Sequence, residues 1–194
     1  MANGQTRMFI RQLLAKPGST GAVLPSSDAL AERIIGFANP PQDAVIAEFG
    51  PGTGVFTAKI LASLLPDQHF FAIEINPDFA KALRKRFPRL SLYEGDAANV
   101  KRFAAENGFD RVDCIISGLP WANFPDSLQT KILDSMIEVM PPGGVFATFA
   151  YLQGLVLPAG RAFKENLKKR FSLVEKSEVI WKNIPPAIIY RCCK

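Results

Sequence analysis

The chain has no apolar run long enough to span a membrane, no secretion signal, no low-complexity tract and no even set of cysteines. Its longest apolar stretch, VFATFAYLQGLVLPA at 145–159, is interrupted by Gln153 and Gly154 and falls short of the ~20 residues that a spanning helix needs. The opening residues, MANGQTRMFIRQLLAKPG, lack a long apolar core and a small-residue cleavage site, so a soluble or peripheral protein is expected and a secreted one is not. Cys114, Cys192 and Cys193 are odd in number, and the adjacent pair is poorly placed to bridge to itself. They read as core or terminal thiols of a reducing compartment. Acids are missing from one region: none precedes Asp28.

What remains is a chain of 194 residues, 48% hydrophobic and 21% charged, the composition of one globular domain. Its net charge of +5 favours an anionic partner, which composition leaves open between nucleic acid and a membrane surface. Short apolar runs at 44–49, 69–75, 90–94, 110–117, 144–151, 171–180 and 187–192 read as strands. Helical patterns fall near 27–38, 54–65, 78–87, 98–107, 126–140 and 160–170. Such alternation predicts an α/β fold, a doubly wound and mostly parallel seven-stranded sheet with helices on both faces. Only WKNIPP separates the last two runs, too little for a parallel crossover, so the last strand is expected to be antiparallel. Ligands of such sheets bind at the carboxyl ends of the strands.

The motifs fall at those ends. The first strand runs into Glu48-Phe-Gly50-Pro51-Gly52-Thr-Gly54 and then directly into a helix. Three glycines in five residues allow a sharp turn and close approach to a ligand. Their spacing differs from the Gly-x-Gly-x-x-Gly of dinucleotide binders, and Glu48 stands where a pyrophosphate would be repelled. A cationic ligand fits better. The second strand ends in Glu74 and Ile75, and a carboxylate there can accept both hydroxyls of a ribose. The third leads to Glu94-Gly95-Asp96-Ala97, where Asp96 can accept from an adenine amine. Ribose, adenine and a positive third portion describe S-adenosylmethionine, whose product is S-adenosylhomocysteine. No metal is expected.

The fourth strand ends in Ser117-Gly118-Leu119-Pro120-Trp121, with no acid, base or nucleophile. Methyl transfer from a sulfonium is an in-line displacement that needs orientation and desolvation more than a base. Trp121 is open to two readings: a core aromatic after a turn, or an indole face for an ammonium, an interaction worth ~2 kcal/mol or more when dry. At the amino end, Phe9, Ile10, Leu13 and Leu14 share one arc of a helix, with Arg7, Arg11 and Lys16 at its edges. This amphipathic helix suits a membrane interface, and equally suits packing over the cofactor pocket. Three cations contribute about 3 kcal/mol at an anionic leaflet, short of the about 4 kcal/mol of millimolar binding. Its apolar face must add the rest.

EFGPGTG, AIEIN, EGDA and SGLPW, in that order, resemble the motifs of class I S-adenosylmethionine-dependent methyltransferases. With TGAVLPSSDALA at 20–31 and NIPPAIIYR at 183–191, the chain is similar over nearly its whole length to the bacterial phospholipid N-methyltransferases. The resemblance implies a catalytic domain at 28–194 preceded by a substrate-covering, membrane-binding helix at 1–27, and stepwise methylation of phosphatidylethanolamine to phosphatidylcholine. It implies cofactor contacts by Glu48, Gly50, Gly52, Gly54, Glu74 and Asp96, with Pro51, Ile75, Gly95 and Ala97 beside them. Ser117 and the carbonyls of Gly118 and Leu119 would orient the amine, Trp121 would face the developing cation, and Tyr151 and Tyr190 would add acceptor contacts. Arg191 or a residue near Lys164 would bind the lipid phosphate. The expectation is a monomer on the cytoplasmic face of a membrane, with phospholipid rather than nucleic acid as partner. The alternative is an rRNA adenine dimethyltransferase, a related family whose fourth strand more often ends in Asn or Asp than in Ser.

Overall fold

The strands of the computed structural model, which describes residues 27–194, are β1 (Val45–Phe49), β2 (His69–Glu74), β3 (Ser91–Glu94), β4 (Cys114–Ser117), β5 (Val145–Tyr151), β6 (Leu173–Lys176) and β7 (Ala187–Cys193). They form one sheet in the order β3-β2-β1-β4-β5-β7-β6. The first five are parallel, and β7 runs antiparallel between β5 and β6. The amphipathic segment with Arg7, Phe9, Ile10, Arg11, Leu13, Leu14 and Lys16 lies outside the described residues.

Chain order reverses between β1 and β4, the switch point where an open sheet leaves a crevice. Register brings the strand ends level there: Phe49 lies beside both Ile73 and Ser117, and Ser117 beside Thr148. All five residues of β1 are buried, as a strand covered on both faces must be. On one face α1 (Asp28–Ala38) and α2 (Val55–Ser63) pack Leu30, Ile34, Phe56 and Ile60 against Ile46, Ile116 and Phe149. The other face carries α4 (Val100–Glu106), α5 (Asp126–Val139) and α6 (Pro158–Arg170), which follow α3 (Pro77–Arg86) in the chain. Each fully buried Leu, Ile or Phe stabilises this arrangement by roughly 1.5–3 kcal/mol.

Local chemistry sets the helix ends. The Ser27 side chain accepts from Leu30 N at 3.2 Å, and Asn39 closes α1 in the left-handed region at φ 46°, a conformation that Asn tolerates. Asn76 caps α3 by accepting from Asp78 N, ahead of Pro77 in its first turn.

Two strands are shorter than their apolar runs predict. β4 begins at Cys114 rather than at 110, because the Asp113 carboxylate turns inward and accepts from Val45 N at 2.9 Å. β6 stops at Lys176 because the Ser177 hydroxyl, not a backbone carbonyl, accepts from Ile189 N. The chain bridges to the sheet once more at Ile180–Ala187.

Candidate active site

The glycine loop crosses the carboxyl end of β1 with all three glycines at positive φ, 68° at Gly50, 55° at Gly52 and 82° at Gly54. Their surroundings differ. A Cβ on Gly50 would stand 2.7 Å from the Leu119 side chain, and one on Gly54 2.8 Å from Leu83 and Phe87, whereas none of the described residues comes within 4 Å of that point at Gly52. Gly52 therefore faces open space, the room a ligand's backbone-hugging portion requires. Gly118 N donates to the Phe49 carbonyl at 2.8 Å, and a Cβ on Gly118 would be 2.7 Å from the Gly50 carbonyl oxygen. The glycine loop and the SGLPW segment are thus in direct contact, and only glycine permits it.

The three acids gather at this edge. Glu48 is wholly buried: Oε2 accepts from Thr57 Oγ1 at 2.6 Å, while Oε1 has no partner among the described residues. Burial pushes its carboxyl up to about 8, against the Thr57 bond and with the Glu74 charge adding to the rise. An unpartnered oxygen in a dry site is costly, and a cation seated there would return the group to its ionised form. Glu74 is 1% exposed and ties the loop to β2, Oε2 accepting from Gly52 N at 3.0 Å and Oε1 from Asn76 N at 2.7 Å. Burial raises its pKa against these bonds. A carboxylate has about four acceptor positions, so capacity for ribose hydroxyls remains. Asp96 accepts from Ala98 N at 3.0 Å and pairs with Lys131 Nζ at 2.7 Å. Gly95 N donates to the Glu74 carbonyl, and Ile75 and Ala97 line the same edge in sequence with the acids. This donor set, a buried acid for a cation and two more for hydroxyls and an amine beside an open cradle, fits S-adenosylmethionine.

Trp121 opens a 3₁₀ turn, Trp121–Asn123, and is 3% exposed. Its ring stacks on Phe163 with centroids 4.7 Å apart and meets Phe124 and Phe146 edge-on, each at 5.9 Å. The Gln129 amide holds the turn, donating to the carbonyls of Trp121, Phe124 and Ala159. Ser117 corrects an expectation. Its side chain is fully buried, and Oγ accepts from Leu119 N and from Trp121 Nε1, both at 3.2 Å. It positions the indole and does not line the cavity beyond.

That cavity, of ≈ 290 Å³, opens at the ends of β4 and β5 and is lined by Gly118, Leu119, Trp121, Tyr151, Phe163 and Tyr190 among others, with no charged side chain among the described residues of its wall. The Tyr151 hydroxyl is buried without a partner among the described residues, and burial raises the pKa of both tyrosines. Arg191 is elsewhere: it binds Glu175 at 2.9 Å on the neighbouring strand and takes no part in the lining. The partner acid was near enough on β6 to claim it first. Burial likewise pushes the Cys114 and Cys192 thiols up, which leaves them poor nucleophiles. Among the described residues no helix is long and apolar enough to cross a membrane, and no cluster could hold a metal.

Lys131 and Gln129 are site residues that sequence reasoning missed. Both sit on α5 and reach partners brought close only by the fold; Gln129 left one signal, a polar residue on the buried face of a helix, and the exposed Lys131 left none.

A family model described as methyltransferase domain matches residues 46–144, half of the chain. Ornithine lipid N-methyltransferase of Singulisphaera acidiphila is 27% identical over 188 residues, covering 95% of this chain and 94% of that protein. Ribosomal RNA small subunit methyltransferase A of a Synechococcus species is 29% identical over 114 residues, and the chain spans only 40% of that relative's length. In solved structures the fold recurs in TrmN of Thermus thermophilus, TM-score 0.69 at 19% identity, covering 95% of this chain and 53% of that one. It recurs also in an O-methyltransferase of Bacillus cereus in complex with S-adenosylhomocysteine, TM-score 0.66 at 16% identity, covering 100% and 93%. With the glycine loop, the three acids and the sheet order in place, the chain belongs to the methyltransferase domain family and is a class I, S-adenosylmethionine-dependent methyltransferase.

Proposed function

We propose that this enzyme methylates the primary amine of a membrane lipid, phosphatidylethanolamine and its mono- and dimethyl forms, toward phosphatidylcholine at the cytoplasmic surface of a membrane. The observation that carries the reading is the cavity at the ends of β4 and β5, mostly apolar and without a charged side chain among the described residues that line it. A polar, polyanionic acceptor such as RNA is served by cations and stacking platforms, whereas an aliphatic chain bearing an amine is served by this lining. The near full-length likeness to an ornithine lipid N-methyltransferase supports a lipid acceptor, against rRNA methyltransferase matches confined to part of the chain.

When bound, the cofactor would supply a methyl group on a sulfonium; the accepting nitrogen gives up a proton at the first and second methylations, whereas the third leaves a quaternary ammonium with no proton to lose. The chain's own residues prepare the amine. An uncharged, dry cavity disfavours the ammonium form and lowers the pKa of an amine entering it, so the lone pair is free at neutral pH without a base. The carbonyls of Gly118 and Leu119 and the hydroxyls of Tyr151 and Tyr190 orient the nitrogen. Trp121, its N–H fixed by Ser117 and one face backed by Phe163, offers its remaining surface to the positive charge that forms at each transfer and becomes permanent at the third.

Among the described residues no cation lines the cavity, so phosphate would sit outside it, where Arg161 and Lys164 follow the lining residues Gly160 and Phe163 in the chain. An ornithine lipid has no such phosphate to place, and that second acceptor is favoured by the likeness above. Vesicles containing either lipid, incubated with enzyme and labelled methyl donor, test the proposal. Label in the amine lipid is the expected result; label in structured RNA with unlabelled lipid would overturn it.

A further inference from the structure

The three most exposed large apolar side chains of the described residues are Ile184 at 78%, Trp181 at 71% and Val156 at 66%, with Leu157 at 44% next to Val156 in the chain. Two segments carry them. These meet at the carboxyl end of β5, where Leu152 N donates to the Pro186 carbonyl at 3.0 Å and Tyr151 pairs with Ala187. The same end is the mouth of the acceptor cavity, whose wall includes Tyr151, Leu155 and Leu157. Single exposed apolar residues are ordinary, but a group of them beside a cavity marks a contact surface.

The loop Trp181–Pro186 is built inside out. Asn183 is 1% exposed, its Oδ1 accepting from Ser27 N at 3.0 Å and its Nδ2 donating to the Pro185 carbonyl at 2.7 Å. The polar residue is thus turned in and held, while Trp181 and Ile184 on either side are turned out, the reverse of a solvated loop. Charge identifies what they meet. Residues 151–164 and 180–187 contain Arg161, Lys164 and Lys182 and no acid, and residues 1–26, which leave the described fold at the Ser27 to Asn183 bond, contain Arg7, Arg11 and Lys16 and no acid. Apolar tips among cations, with a tryptophan at the boundary, match an anionic lipid surface.

We infer that Trp181 and Ile184 form an interfacial anchor that seats the cavity mouth on an anionic bilayer. The inference rests on the lipid reading for what the cavity then receives, and the anchoring itself can be measured without chemistry. Lys182 between the two apolar tips snorkels to the headgroups.

The chain has two tryptophans, Trp121 and Trp181, and only the second is exposed. Intrinsic fluorescence of the full chain therefore reports on the anchor. With phosphatidylethanolamine vesicles containing phosphatidylglycerol, emission shifts to the blue and is quenched by brominated lipid, and Trp181→Phe removes the blue shift and most of the quenching, the remainder coming from Trp121 in the cavity wall. Trp181→Ala and Ile184→Ala each weaken vesicle binding by roughly tenfold. Trp181 that stays water-exposed on bound vesicles, or a double variant that binds as tightly as the parent, would overturn the anchor. So would Trp181 already shielded from aqueous quencher in the free protein, which would assign the patch to the chain's own amino-terminal segment or a second copy. On detergent-dispersed lipid the double variant keeps the parent's methylation rate. A parent that methylates neither vesicles nor dispersed lipid would overturn the lipid acceptor, with the quenching result still deciding the anchor.

Discussion

Glu48 carries the sharpest consequence at the residue scale, because a buried carboxyl raised to about 8 binds its proton more tightly folded than unfolded. Its contribution to stability is present in full below the ordinary carboxylate pKa and is lost as pH rises toward 8. Without cofactor, Tm should fall across that window, and Glu48→Gln should flatten the fall. A cationic ligand at Oε1 reverses the preference, so binding should expel a proton. Calorimetry in two buffers of different ionisation enthalpy measures it, and a binding enthalpy independent of buffer would contradict the role of Glu48.

The glycines divide in the same way. Gly118→Ala pushes a methyl against the Gly50 carbonyl and should destabilise the fold by about 1–3 kcal/mol, read as a lower denaturation midpoint. Gly52→Ala meets open space and should cost only its backbone strain, roughly 1 kcal/mol, while cofactor affinity falls by at least tenfold. Ser117→Ala leaves the buried Leu119 and Trp121 N–H groups without their acceptor, at about 1–3 kcal/mol. Because Ser117 acts through the indole, kcat should fall while the cofactor Kd is unchanged. Alanine at Trp121 itself would remove a packed aromatic and cost roughly 3–5 kcal/mol, so Trp121→Phe is the informative variant.

At the scale of elements, alternating apolar runs and helical patterns were enough to foresee seven strands, their helices and the antiparallel end, since each run was bounded by turn residues. The boundaries that shifted did so through side chains that replaced backbone partners: Asp113 at the start of β4 and Ser177 at the end of β6. Such substitutions leave no periodic trace. The acids at three strand ends were legible for a related reason, that a strand's carboxyl end is readable wherever its apolar run stops. Ser117, Arg191, Lys131 and Gln129 were not, because each role depends on a partner from another element, as with Lys131 reaching across to Asp96. Gln129 on α5 joins the 3₁₀ turn to the start of α6 through three carbonyls. Gln129→Leu should free them at a cost of about 2 kcal/mol or more and should loosen the cavity wall, lowering Tm and acceptor affinity together. Unchanged values would show the clamp to be dispensable.

At the scale of the whole described fold, sheet order places the glycine loop, the apolar cavity and the segments that carry the exposed apolar side chains at the carboxyl ends of the parallel strands. The loop sits at the β1–β4 switch point, the cavity at β4 and β5, and the apolar segments at β5 and β7. A lipid amine approaching from a bilayer would meet these layers in the reverse order, moving from anchor to dry cavity to methyl donor. The central claim is that the acceptor is a lipid amine, and it is tested most directly by product analysis. The full chain is incubated with labelled S-adenosylmethionine and a mixture of phosphatidylethanolamine vesicles, ornithine lipid vesicles and structured RNA. Label in the methylated amine of a lipid, with RNA unlabelled, is the predicted result; label in RNA with both lipids unchanged would contradict the account.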